Sequence, residues 1–224
     1  MPERSGFATT TLGPVFWGER LGATLAARRL ARTPARAIAS LEAGDAALVR
    51  GVVSAREPTL AAPLSGLPSV FGRVLSCREP PPGRRRDARG VLQPAPPPVV
   101  VRADVTWGGR FALEDESGTA WIEIDGSDPF ELFVLVRRGG AWNRGETHER
   151  LARFVEETGH VDLHVDREDE GTVLAEWAIV EGQTLAVLGR VVGQHSAPSS
   201  DGYRASRLVP HLGARGDKPI VLVG

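Results

Sequence analysis

The stretch His160-Val-Asp-Leu-His-Val-Asp166 holds residue types that bind transition metals. As a strand it would place His160, Asp162, His164 and Asp166 on one face and Val161, Leu163 and Val165 on the other. Imidazoles beside carboxylates suit zinc or manganese, and a metal-activated water would then hydrolyse an ester. Same-face neighbours along a strand lie about 7 Å apart, so the full set cannot hold one ion. His160 and His164, or neighbours around Asp162, would need further ligands from elsewhere. The same alternation also describes the polar face of an exposed antiparallel strand, and that is the preferred reading. No metal, cofactor or catalytic residue is therefore assigned. The metal-dependent hydrolase stands as the alternative.

A second acidic group lies at Glu114-Asp-Glu-Ser-Gly118, between the alternating runs Phe111–Leu113 and Thr119–Ile124. The spacing predicts a hairpin whose solvated tip keeps strand ends from pairing with neighbours. Calcium held by Glu114, Asp115 and Glu116 with help from Asp125 and Asp128 is the competing idea, but the EF-hand spacing is missing. Ser65 in Pro63-Leu-Ser-Gly66 would need a base and an acid to act as a nucleophile. Pro63 and Gly66 already explain that stretch as a turn. Nucleophile-elbow, dinucleotide-binding and P-loop patterns do not occur.

Composition narrows the classes further. The 224 residues carry a formal net charge of −1 and 42% hydrophobic residues, enough for a folded domain with a buried core. A near-neutral chain lacks the field that releases counterions from phosphate, so nucleic acid is not expected as a partner. Trp107, Phe111, Trp121, Trp142 and Trp177 are the aromatics that an OB-like single-strand binder would use for stacking; that is a further alternative. Lys218 is the single lysine, and the scattered arginines fit a GC-rich genome better than a dedicated anion site. The single cysteine, Cys77, excludes an internal disulfide framework and suggests a reducing, cytoplasmic setting. No apolar run is long enough for a transmembrane helix, and Glu19 and Arg20 interrupt the only stretch resembling a signal. A short helix over Glu19–Arg32, with Leu21, Leu25 and Leu30 on one side, is expected to dock on its own domain; peripheral membrane contact through residues 19–32 is the alternative.

The elements that must position these residues are mostly strands. Residues 1–35 form a lead-in, and from 36 to 224 short apolar runs alternate with Gly and Pro. Strands are expected at Val70–Cys77, Val99–Trp107, Arg110–Leu113, Thr119–Ile124, Leu132–Arg137, Val161–Val165, Leu185–Val192, Arg204–Val209 and Ile220–Val223. One helix is expected at Thr147–Glu157, capped by Asn143 or Thr147 and stopped at Gly159. Gly44–Val53 and Gly182–Val191 share the pattern G-x-x-x-x-V-x-G-x-V, and the mid-strand glycines Gly51 and Gly189 point to a curled sheet. The fold class is mainly β, or β-rich α+β: a curled OB-like or sandwich-like barrel with one packed helix. Residues 79–98 hold seven prolines and Arg84-Arg-Arg-Asp-Ala-Arg89, which predicts a solvated, partly extended loop unable to join a sheet interior. Residues 194–202 are expected to form a mobile loop.

Ala62-Pro-Leu-Ser-Gly66, Phe111-x-Leu-Glu-Asp-x-Ser-Gly-x-Ala120 and Glu181-Gly-x-x-Leu-x-Val-x-Gly-x-Val191 occur in that order. With Thr33-Pro34 and Ile38-x-Ser-Leu-x-x-Gly44 upstream, they resemble the GIDE domain, also named BAM, of E3 ubiquitin ligases of the MULAN/MAPL type. The resemblance covers about Thr33 to Gly224. Those ligases add membrane spans and a RING finger, whose zinc ions need about eight Cys/His ligands. Neither is found here. The resemblance therefore implies a non-catalytic protein-interaction domain without ligase activity, soluble or peripheral to a membrane. The expected partner is a protein, contacted through the acidic hairpin tip or the Arg84–Arg89 loop.

Overall fold

The computed structural model describes Arg28, Leu30 and residues 32–78, 83–86, 92–95, 100–124, 130–133, 135–139, 145–160, 163, 172–197, 207–214 and 219–224. Five strands close a barrel: β1 (Ala46–Ser54), β7 (Arg110–Asp115), β8 (Gly118–Glu123), β13 (Arg207–Gly213) and β12 (Thr184–Ala197), with β12 returning to β1. In chain order around the ring the barrel strands run first, second, third, fifth, fourth. The third and fifth are parallel, joined through His211↔Trp121 and Leu212↔Ile122. This is an OB-like barrel. β14 (Ile220–Val223) adds to β12, and β9 (Phe130–Phe133) adds parallel to β14.

The two glycine-marked repeats are the strands that close the ring. They pair antiparallel with Val49 opposite Val187, the same position of each repeat. Their ends are tied alike: the Gly44 and Gly182 amides donate to the Val191 and Val53 carbonyls, and the Val191 and Val53 amides donate to those of Asp45 and Gln183. Gly51 earns its place by close approach. A Cβ there would lie 2.5 Å from the Glu114 carbonyl oxygen, so glycine lets β7 cross near β1. Gly189 makes no such approach; its Cβ would meet ordinary contacts at 3.4 Å.

A second sheet is inserted from two excursions of the chain. β3 (Pro68–Arg78) is its centre, with β11 (Thr172–Val180) on one side and β6 (Val100–Gly108) and β2 (Leu60–Ala61) on the other. β10 (Leu135–Gly139) lies outside β11. One face joins the barrel: Phe71, Leu75, Cys77, Ala175 and Ile179 share a core with Phe111, Leu113, Ile122, Val187 and Leu212. The other face carries Val74, Val105, Trp107 and Leu174, and helix α1 (Glu146–Thr158) covers it with Leu151 and Phe154. Each fully buried Leu or Phe contributes about 1.5–3 kcal/mol, so this double-sided burial holds the insert on the barrel. Gly72 makes the layer possible, because a Cβ there would come within 2.1 Å of the Trp107 ring.

Several expected elements shift. The Leu132–Arg137 strand is two strands, β9 and β10, in different sheets. Of the expected strand Val161–Val165 only Leu163 is described; it is not in a strand, and its amide donates to the His160 carbonyl at 3.1 Å, while residues 161, 162, 164 and 165 lie outside the described residues. Residues 194–197 continue β12 instead of opening a loop, held by Ser196↔Leu208 and Ala197↔Arg207. Residues 79–98 are not wholly loop, because β4 (Gly83–Arg86) and β5 (Leu92–Ala95) form an antiparallel ribbon of their own. Gly159 ends α1 in the left-handed conformation as expected, with its amide on the Val155 carbonyl. The N-cap is Gly145, without a side-chain cap; Thr147 lies inside the helix and Asn143 lies outside the described residues. In the lead-in, Leu30 is buried with Leu48 and Ala186, and Leu188 and Val223 pack against them. The rest of the expected helix, residues 19–27, 29 and 31 with Leu21 and Leu25, lies outside the described residues. No described helix is long and apolar enough to cross a membrane.

Candidate functional site

The acidic hairpin is structural at its centre. One Asp115 oxygen accepts the Ile38 amide at 2.9 Å, and the other accepts the Ser117 hydroxyl and the Ser117 and Gly118 amides. The Ser117 hydroxyl in turn accepts the Ala39 amide. The turn thereby fastens the 3-10 segment Ile38–Ser40 over the barrel. Burial raises the Asp115 pKa, but the donors from Ser117, Ile38 and Gly118 outweigh it and hold the carboxyl below its ordinary range. Glu114 pairs with Arg56. With these oxygens turned to N–H and O–H donors, the tip makes a poor calcium cradle. Asp125 and Asp128 lie outside the described residues.

A second carboxylate does the same work more deeply. Glu176 in β11 is fully buried, and its oxygens accept the amides of Leu64 at 2.5 Å and Ser65 at 3.0 Å. From α1, the Arg150 guanidinium donates to the Leu64 carbonyl at 2.9 Å and to the Thr147 hydroxyl. Gly66 lies under the Arg150 chain; a Cβ there would meet its Cδ at 3.2 Å. Ala62–Gly66 is therefore a turn clamped between a sheet carboxylate and a helix cation. The acid beside Ser65 holds its main-chain amide, while the Ser65 hydroxyl accepts the Leu67 amide at 3.3 Å. That is turn chemistry, in keeping with the sequence.

The aromatic candidates separate. Trp107 is core: its indole N–H donates to the Ser69 hydroxyl at 2.8 Å and its ring meets Phe154 edge-on. Phe111 fills the barrel. Trp177 is buried under the Arg73 guanidinium, which also covers Phe130 and forms a two-bond fork with Asp104. Trp121 alone of the described set reaches the outer face of β7 and β8, where Arg110 lies 4.3 Å over its ring and His211 sits beside it. The His211 ring approaches Glu123 at 3.4 Å. Trp142 lies outside the described residues.

Of the metal candidates, His160 is exposed at the end of α1, whereas Asp162, His164 and Asp166 lie outside the described residues. Among the described residues no group of three His, Cys, Asp or Glu converges on a metal position.

Sheet edges remain as surfaces with unspent bonding capacity. Among the described residues β6 pairs only with β3, over nine residues, and Val101 on it is half exposed. Alternate main-chain groups of such a strand turn outward and form a template for a further strand. The bulge at Arg102, between Ser76↔Ala103 and Cys77↔Val101, breaks that template near one end and leaves Ala103–Gly108 regular. Sequence reasoning missed Glu176 and this edge. A lone Glu within Val173–Val180 was the available signal for the first.

No protein-family model, curated protein or solved structure matches the chain.

Proposed function

We propose that the chain is a non-catalytic, GIDE-like protein-interaction domain, soluble or peripheral to a membrane, without ubiquitin ligase activity. The observation that carries this reading is the regular strand β6, which among the described residues pairs with β3 alone, on a sheet braced between barrel and helix. A rigid sheet with an open edge is suited to strand addition, in which main-chain bonds supply affinity and neighbouring side chains supply selectivity. The ordered GIDE-like blocks support the same reading, since they fall on the clamped Ala62–Gly66 turn, the Asp115 hairpin and the ring-closing β12. The tested protein is the tagged full chain, used as bait in its native lysate beside Val101→Glu, which sets a charge on the edge at an exposed position. A stoichiometric partner retained by the parent and lost by the equally stable variant is expected. No stoichiometric partner for either bait sinks the proposal.

A second reading is favoured by Arg110 stacked on Trp121. An OB-like barrel binds oligonucleotides on the face of its second and third strands, here β7 and β8. Stacking on such a platform is worth about 1–3 kcal/mol per base. This reading requires oligothymidine binding that falls steeply with salt and weakens in Trp121→Ala.

A further inference from the structure

Arg110, Trp121, Glu123 and His211 meet on the outer face of β7, β8 and β13. Arg110 stands directly opposite Glu123, and Trp121 is the neighbouring residue of β8 on that face. Across the parallel pair Trp121 faces His211. The Trp121 side chain is half-buried, and the Arg110 guanidinium lies 4.3 Å over its ring. The Arg110 Nε is shielded from water and has no hydrogen-bond acceptor among the described residues. Stacking thus leaves a donor unsatisfied, which favours a ligand that brings an acceptor. The Glu123 side chain is 55% exposed, and one of its oxygens lies 3.4 Å from Nδ1 of the buried His211. That imidazole braces the acid from the sheet side, and the carboxylate keeps capacity for further donors.

A flat surface, a fork of donors and a carboxylate set side by side select a heteroaromatic ring with acceptors on one edge and donors on the next. Guanine alone of the four bases has that pattern. Its O6 and N7 accept an arginine fork. Its N1–H and N2–H₂ are adjacent donors that match the two oxygens of a carboxylate. Adenine would turn the acceptor N1 toward Glu123, and cytosine and thymine each present one donor there. We infer that Arg110, Trp121 and Glu123 form a subsite for a guanine base, which stacks on Trp121 with its N1–N2 edge on Glu123 and its O6–N7 edge on Arg110. The base takes the guanidinium's place on the indole, and the freed fork turns to the base edge. His211 is a positioning residue behind the acid. Recognition of one base needs no extended basic surface, so a net charge of −1 is compatible with it. The inference rests on the second, single-strand reading of this face and names the base it selects; it is independent of strand addition at β6.

The test uses the purified full chain and fluorescein-labelled thymidine hexamers, followed by anisotropy at low salt. One hexamer is all thymine, and the others carry a single central guanine, adenine or hypoxanthine. Hypoxanthine keeps O6, N7 and N1–H but lacks the N2 amino group. The parent should bind the guanine hexamer roughly tenfold or more tighter than the adenine and all-thymine hexamers, with hypoxanthine between. E123Q, at an exposed position, should bring the guanine hexamer down to the all-thymine level and leave the all-thymine hexamer unchanged. R110K keeps the charge but loses the fork and should also reduce the preference. Unlabelled guanosine monophosphate that displaces the guanine hexamer supports a free nucleotide as the ligand, whereas displacement by guanine-containing oligomers alone supports a chain-borne base. Equal binding of the guanine and adenine hexamers by the parent overturns the inference, as does a guanine preference that survives in E123Q. If the all-thymine hexamer still binds in either event and is lost in W121A, the single-strand reading stands and only the base assignment falls. No binding of any hexamer, with no quenching of tryptophan emission by guanosine monophosphate, overturns both.

Discussion

Replacing Glu176 by leucine removes the acceptor that holds the Ala62–Gly66 turn. The carboxylate is fully buried and takes two main-chain amides, so both donors lose their partner while the side chain keeps a similar volume. The Leu64 amide belongs to a buried residue and Ser65 is half-buried, so water reaches the second more easily. An unsatisfied buried donor costs about 1–3 kcal/mol. Counting one fully and one in part gives a loss of about 2–4 kcal/mol, reduced somewhat by the apolar surface that leucine buries. Glu176→Gln keeps one acceptor oxygen but turns an N–H₂ toward the other amide, so about half that loss is expected. For a chain of this size the leucine variant should melt about 4–16 °C lower. Urea unfolding followed by tryptophan fluorescence reads the difference, with the slope checked for constancy. Limited proteolysis should find the variant cut near Ser65 before global unfolding. A leucine variant within about 0.5 kcal/mol of the parent refutes the clamp, because such a value is ordinary for surface positions.

Other perturbations follow from the same geometry. Gly72→Ala drives a methyl into the Trp107 ring and should cost about 1–3 kcal/mol, with a changed tryptophan emission; an unchanged Tm excludes the described layer. Ser76 is buried and its hydroxyl has no hydrogen-bond partner among the described residues, so Ser76→Ala should be neutral or stabilising in urea. Asp115 is held ionised below the ordinary 3.8, so the unfolded chain takes up its proton first on acidification. Its contribution is complete above that value and is lost as pH falls through the lower folded pKa. The stability of Asp115→Asn should therefore vary less with pH in that acid window, and parallel curves for the two proteins would contradict the assignment.

The barrel was legible in the sequence because its strands alternate cleanly. Phe111 and Leu113, then Ala120 and Ile122, point inward from β7 and β8, and the turn between them has its own chemistry. The repeat over β1 and β12 announced a curled sheet, although nothing in it said that the two copies would pair with each other. β11 was hidden. Leu174–Ile179 is buried on both faces between barrel and helix, so it lacks a polar period, and Glu176 interrupts it. The β9–β10 division was hidden for another reason: a continuous apolar run does not reveal that its halves join different sheets. Asp115 was visible as an acid in a turn, but its bond to Ile38 spans 77 positions and only the closed barrel brings those groups together. The edges were illegible in principle, since an open edge is a property of which strands are neighbours.

The pairing of Val49 with Val187 joins positions more than half the chain apart. A ribosome releases β1, β7 and β8 long before β12 exists to complete the ring. During that interval Val49, Phe111 and Leu113 must remain beside unclosed strand edges, exposed to other nascent chains. Loop closure over such a separation makes folding slow compared with a protein of local contacts. Moving the termini into the β12–β13 connection, with the old ends joined, would reorder synthesis so that β13 leads and β12 is last. Moving them to 181–182 instead would make β12 the first strand synthesised, and β1 would meet its partner as soon as it emerged. The ring-closing pair therefore decides when this protein is most vulnerable to aggregation as well as what shape it finally takes.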